Sequence, residues 1–155
     1  MKPTQINHLG IAVQDLEATA KIYQAMGLTV EKIIDVPEQQ VRVAVIPIGE
    51  STIELVQPTS PDSAVARFLE KRGEGLHHLA LQVDDVQASL DELKDQGFRL
   101  INETPRDGAE GRIAFLHPKS TGRVLTELIE TADDRAVPLT LCHSGEKSGL
   151  FNSNL

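Results

Sequence analysis

Along residues 8–13, HLGIAV, bulky apolar side chains (Leu9, Ile11, Val13) alternate with small or polar ones (His8, Gly10, Ala12), the two-residue period of a strand. The period then lengthens. Leu16, Ala20 and Tyr23 recur at helical spacing behind Asp15, a residue type that caps helix N-termini, and Gly27 stands where that helix should stop. Strand patterns follow at residues 29–34, 41–48 and 52–56, with Gly49 and Glu50 turning the last hairpin. The predicted order is βαβββ.

The same order then recurs. HLGIAVQDLEATAKIYQAMGLTV lies without gaps on HLALQVDDVQASLDELKDQGFRL, a shift of 70 residues. His8 falls on His78, Leu9 on Leu79, Val13 on Val83, Asp15 on Asp85, Ala18 on Ala88 and Gly27 on Gly97. VRVAVI likewise lies on GRIAFL, and after a three-residue insertion TIEL lies on LTEL, so that Glu54 falls on Glu127. The second copy is predicted to run as a strand from His78, a helix over 85–96 carrying Val86, Leu90 and Leu93, and strands near Arg99, Ile113 and Val124. Two modules, about 4–57 and 74–130, thus make one α+β domain over 1–130. A connector at 58–73 is predicted to be a proline-rich turn and a short helix with Val65, Phe68 and Leu69 on one side. Residues 131–155 fall outside the duplication and form an extension without an assigned role.

Composition narrows the function classes. A length of 155 residues suits one domain with a real core, and 40% hydrophobic with 3% aromatic residues makes that core aliphatic. A net charge of −8 argues against a non-specific nucleic-acid binder, which needs a basic surface, yet leaves room for an anionic small molecule at a local Lys/Arg cluster. The single cysteine, Cys142, allows no internal disulfide and fits a reducing cytosol; its neighbour His143 does not by itself make a metal site. No apolar run approaches the roughly 20 residues of a membrane span, and no signal-peptide pattern opens the sequence. The expectation is a cytoplasmic protein with no membrane or nucleic-acid partner.

Strand alternation places the candidate chemistry. His8 shares a face with Gly10 and Ala12, and His78 with Ala80 and Gln82, opposite the bulky apolar faces suited to packing under a helix. Glu54 points away from the apolar row of Ile53 and Leu55. A carboxylate facing into a sheet is costly to desolvate unless it is paired or binds a metal. Modules packed about a pseudo-two-fold axis would bring His8, Glu54, His78 and Glu127 together, a set of two nitrogens and two oxygens suited to Zn, Co, Ni, Mn or Fe.

These residues resemble the vicinal oxygen chelate (glyoxalase-like) superfamily and, within it, the methylmalonyl-CoA epimerase family. The resemblance covers about residues 6–130 and rests on HLGIAVQDLEATAKIYQAMGL, VPEQQVRVAVIPIGESTIELVQP, GEGLHHLALQVDD and GRIAFLHPKSTGRVLTELIE. It implies two paired βαβββ modules in a curved half-barrel sheet around a divalent metal (Co, Zn, Mn or Ni) held by His8, Glu54, His78 and Glu127. His78 is preferred to His77 because it precedes the same hydrophobic strand pattern as His8. The family also implies a homodimer, an acyl-CoA substrate and epimerisation of methylmalonyl-CoA through an enolate.

Glu127 is the first candidate for the group that moves the proton, and Glu54 the second. Some family members carry a further glutamate where this chain has Val43, which can move no proton. Gln39 and Lys119 are the substrate-binding candidates, with a loop cap and a solvated turn as their structural alternatives; Arg123 and His117 are open in the same way. Two other functions remain: a glyoxalase-like lactoylglutathione lyase, and a non-catalytic small-molecule-binding protein of the same fold. A ring-cleaving dioxygenase fits less well, because its iron keeps open the position that a fourth protein ligand here fills.

Overall fold

The structure, a computed structural model, describes residues 1–108 and 110–131. The extension beyond Thr131, with Cys142 and His143, lies outside the described residues. The first module consists of β1 (Gln5–Ala12), α1 (Leu16–Ala25), β2 (Lys32–Val36), β3 (Val41–Ile48) and β4 (Ser51–Pro58). The connector carries α2 (Ala64–Arg72). The second module consists of β5 (Gly75–Gln82), α3 (Val86–Asp95), β6 (Arg106–Asp107), β7 (Gly111–Leu116) and β8 (Leu125–Thr131). Among the described residues no helix is long and apolar enough to cross a membrane.

All eight strands form one mixed sheet in the order β2-β3-β4-β1-β5-β8-β7-β6. The two modules meet at its centre, where β1 and β5 pair antiparallel, while β4 and β8 run parallel to them on either side. The sheet curls far enough to bring its two edges together. Lys32 on edge strand β2 reaches Glu110, beside edge strand β6, at 3.7 Å.

Local chemistry repeats as faithfully as topology. Asp15 and Asp85 each accept a hydrogen bond of 2.9 Å from the backbone N–H three residues on, at Ala18 and Ala88. These contacts satisfy N–H groups that have no partner inside the helix. Gly27 and Gly97, just past the helix ends, adopt φ of 88° and 84°, a region where a side chain would be strained. The helices cover the convex face with matched cores. Val13, Leu16, Ala20, Ala44, Ile46 and Leu55 pack in the first module, and Val83, Val86, Leu90, Ala114, Leu116 and Leu128 in the second.

Three boundaries differ from the sequence expectation. The second strand occupies Lys32–Val36 rather than 29–34, because Leu28 N–H still bonds back to Tyr23 and pairing with β3 begins only at Glu31. Near Arg99 there is no full strand. Leu100 makes one bridge to Leu116, the Asn102 side chain then takes the Phe115 N–H at 2.9 Å, and ladder pairing resumes only at Arg106. β5 starts at Gly75, ahead of the expected His78, which places His78 in mid-strand.

One contact on the concave face controls the centre of the sheet. Gly10 lies opposite His78 across the β1–β5 ladder, and a Cβ added at Gly10 would fall inside the imidazole of His78. Gly10→Ala is therefore expected to expel that ring and to lower stability by about 1–3 kcal/mol, the usual cost of overpacking. Urea denaturation and the His78 ring resonances in NMR would check this. An unchanged midpoint with unmoved resonances would show that the ring does not occupy this space.

Candidate metal centre

Strand register puts the four residues in two adjacent rows. One row runs Glu54 (β4), Gly10 (β1), His78 (β5); the other runs His8 (β1), Ala80 (β5), Glu127 (β8). In each, a small residue separates a carboxylate from an imidazole, and side chains in register point to the same face of a sheet. The duplication generates both rows, since Gly10 and Ala80 occupy the same repeat position.

The four side chains converge. His8 Nε2 lies 3.0 Å from His78 Nε2, and both lie 3.8 Å from Glu127 Oε2. Glu54 Oε2 stands 3.8 Å from His8 Nε2. Among the described residues, His8, His78 and Glu127 form the one group whose ligand atoms lie close enough together to share an ion. All three are buried, at 6%, 8% and 5% exposure, so no bulk water compensates them.

Hydrogen bonds on the far side of each ring bear on which nitrogen carries a lone pair. His8 Nδ1 faces Asn7 Oδ1 at 2.8 Å, and an oxygen can only accept, so Nδ1 holds the proton and Nε2 the lone pair. His78 Nδ1 faces His77 Nδ1 at 3.0 Å; donation from His78 in that contact frees its Nε2 in the same way. Asn7 and His77 are again equivalent in the repeat. Two ligand atoms about 2.1 Å from one ion and at right angles sit about 3.0 Å apart, so the imidazole pair has the spacing of adjacent ligands.

Electrostatics agree with that donor set. Burial pushes His8 down to about 4 and His78 down to about 3, the latter aided by the imidazoles of His8 and His77, so both are neutral at pH 7. Burial pushes Glu54 up to about 7, with Glu110 adding and Lys32 opposing. Glu127 rises to about 8, mainly through burial and the charge of Glu54, with Arg106 opposing and Glu110 adding. Two carboxylates that resist ionisation beside two neutral imidazoles make a donor set that a cation would stabilise in its ionised form. The residues fit a divalent ion.

The other candidates divide. Gln39 and Val43 line the cavity around the imidazoles, together with aliphatic walls from Val56, Ile113 and Ile129. Lys119 is exposed in a short 3₁₀ turn and does not line that cavity. His117 accepts the Lys119 N–H at 3.1 Å and so caps that turn. Three residues of the site are given no role in it by the sequence reading. Asn7 and His77 show themselves only as the residue before each histidine, and Glu110, which lines the cavity, comes from the turn between β6 and β7.

The profile of the Glyoxalase/Bleomycin resistance protein/Dioxygenase superfamily matches residues 7–115. The human mitochondrial methylmalonyl-CoA epimerase is 39% identical over 127 residues, which are 80% of this chain and 72% of the human protein. The ethylmalonyl-CoA/methylmalonyl-CoA epimerase of Cereibacter sphaeroides is 40% identical over 128 residues, 80% of this chain and 96% of that protein. Among solved structures, a variant of Streptomyces coelicolor methylmalonyl-CoA epimerase in complex with 2-nitronate-propionyl-CoA superposes with a TM-score of 0.80 at 43% identity. The match covers 84% of this chain and 96% of that one. The duplicated modules, the curled sheet and these similarities agree: the chain belongs to the glyoxalase/bleomycin resistance protein/dioxygenase superfamily and, within it, to the methylmalonyl-CoA epimerase family.

Proposed function

We propose that the chain is a metal-dependent epimerase that interconverts (R)- and (S)-methylmalonyl-CoA through an enolate. The observation that carries this reading is the pair of repeat-related carboxylates, Glu54 and Glu127, flanking two neutral imidazoles in one aliphatic pocket. The C2 hydrogen of the substrate lies between a thioester and a carboxylate, so its removal places charge on the thioester oxygen. A divalent ion held by His8, Glu54, His78 and Glu127 supplies Lewis-acid stabilisation of that charge, and Co, Zn, Mn and Ni all suit the donor set.

The chain's own residues supply the proton traffic. Glu127 takes the C2 proton on one face, and Glu54, three strand spacings away in β4 against β8, returns one on the other. Each carboxylate turns Oε2 toward the imidazoles. Val43, buried in the same wall, is inert, so the second proton-transfer role falls to Glu54. Val56, Ile113 and Ile129 keep water from the carbanionic carbon and raise the basicity of the carboxylates. Gln39 lines the same pocket, which supports a contact to the acyl head in this reading. The family resemblance supports a homodimer, and the single cysteine a reducing compartment such as the cytosol.

Metal-loaded protein given one epimer of methylmalonyl-CoA in deuterated water should incorporate deuterium at C2 and lose chirality, with Glu127→Gln slowing both at least 100-fold while the fold persists. Turnover of methylglyoxal with glutathione and no exchange at C2 would instead make the protein a lyase. Near-normal exchange in Glu127→Gln would remove that residue from the proton path.

A pH test follows from the carboxylates. Their folded values, about 7 and about 8, lie above the ordinary 4.5, so in the metal-free protein they contribute stability that is complete below 4.5 and lost as pH climbs through 7 and 8. A cation that takes them ionised reverses the loss. The rise in Tm on adding Co should therefore be larger at pH 8 than at pH 5.5, by differential scanning fluorimetry against a chelated control. A rise independent of pH would show that these carboxylates are not ligands.

A further inference from the structure

Epimerisation between two carboxylates changes the protein as well as the substrate. When Glu127 takes the C2 proton and Glu54 returns another, Glu127 is left protonated and Glu54 ionised, the reverse of the starting arrangement. A second turnover in the same direction requires Glu127 to lose its proton and Glu54 to gain one. Neither does so readily on its own, because the Glu127 side chain is 6% exposed and the Glu54 side chain 18%. The histidines of the pocket are poor carriers, since His8 Nδ1 is engaged by Asn7 and the Nδ1 atoms of His77 and His78 face each other.

Among the described residues, one ionisable side chain both lines this pocket and opens to solvent. Glu110 shares the pocket with the two glutamates while 45% of its side chain is exposed. It stands where the sheet closes on itself, with Oε1 3.7 Å from Lys32 Nζ across the seam between the β2 and β6 edges. β4, which carries Glu54, is two strands in from one edge, and β8, which carries Glu127, is two strands in from the other, so the seam stands in the same relation to both. Burial is the main reason both glutamates resist ionisation, and the charge of Glu110 adds to it at both, whereas Lys32 is felt at Glu54 and Arg106 at Glu127. The repeat does not account for this residue. Its counterpart in the first module is Gln40, which is uncharged and is not among the residues lining the pocket. Nor does stability account for it, since an ion pair between side chains this exposed contributes little.

We propose that Glu110 resets the two bases between turnovers, accepting the proton that Glu127 has taken and passing a proton on to Glu54, directly or by exchange with water; this rests on the epimerase reading above. The step balances: Glu127 goes from acid to carboxylate, Glu54 from carboxylate to acid, and Glu110 ends as it began. The pocket, at about 90 Å³, has room for several waters to carry the proton once product has left. Lys32 holds the Glu110 carboxylate at the seam. Glu110 acts through the two bases and not on the substrate, so its loss should slow the return of the free protein to its starting state and spare the capture of substrate and the chemical step.

The test measures initial rates on the metal-loaded full chain with one epimer of methylmalonyl-CoA, for the wild type, Glu110→Gln, Glu110→Asp and Lys32→Met. In Glu110→Gln, kcat should fall about tenfold or more while kcat/KM stays within about twofold, because the reset limits the rate only when substrate is saturating. Acetate, a small diffusible acid, added at constant pH and ionic strength, should restore kcat in Glu110→Gln and leave the wild type unchanged. Glu110→Asp should keep most of the wild-type rate, and Lys32→Met, which removes the ion pair but keeps the carboxylate, should lose less than Glu110→Gln. An unchanged kcat in Glu110→Gln, a parallel fall in kcat and kcat/KM, or no response to acetate overturns the proposal. An equal loss in Lys32→Met does so too, since it would make the pair a clasp at the seam. Each of these results leaves the epimerase reading standing, whereas a wild type that turns over no methylmalonyl thioester overturns that reading and this proposal with it.

Discussion

Two imidazole nitrogens held 3.0 Å apart, with a carboxylate oxygen 3.8 Å from both, set the constraint that the surrounding architecture answers. When both Nε2 atoms carry lone pairs they repel, and the carboxylates flanking them are too deeply buried to ionise freely. A single positive charge among them resolves both conflicts, since it attracts the lone pairs and restores the ionised carboxylates. The aliphatic walls sharpen the demand because they offer no competing solvent. Stability of the empty pocket and its affinity for a cation are therefore opposite sides of one balance.

The sheet meets this demand through register. Each imidazole faces a small residue on the opposing central strand, Gly10 for His78 and Ala80 for His8, with a glutamate one strand further out. The residue before each histidine reaches back to its Nδ1, so one pair of consecutive positions supplies both a candidate ligand and the partner that can set its tautomer. A second set of contacts, from Asp15 and Asp85, fixes where the helices begin and hence how they brace the convex face. Because all of this is carried by repeat-equivalent positions, one set of local rules builds both halves.

Much of this is legible in residue order, for identifiable reasons. Alternation along HLGIAV and its copy shows which face the histidines share, and the repeat brings Glu54 and Glu127 into equivalence before any geometry is known. The meaning of Gly10 is hidden. Its small size reads as open space, whereas the space is filled by the ring of His78, a cross-strand relation that one strand's pattern does not contain. The partners Asn7 and His77 are hidden for a related reason, since a tautomer depends on which atom a ring nitrogen meets. The last module's edge strand escapes because the Asn102 side chain substitutes for a ladder bond, and Glu110 because its place in the cavity depends on how tightly the sheet curls.

The resemblance between the halves is close but incomplete. Gly10 receives an imidazole in the space of its missing side chain, while its counterpart Ala80 keeps a methyl group opposite His8, and the two rings stand nearly perpendicular, at 88°. A substrate lying across the pseudo-two-fold axis therefore meets unequal surroundings on its two sides. Catalysis cannot alter the ratio of the two stereoisomers at equilibrium, so this inequality must express itself in the individual forward and reverse rate constants, with affinities adjusting to keep their combined quotient fixed.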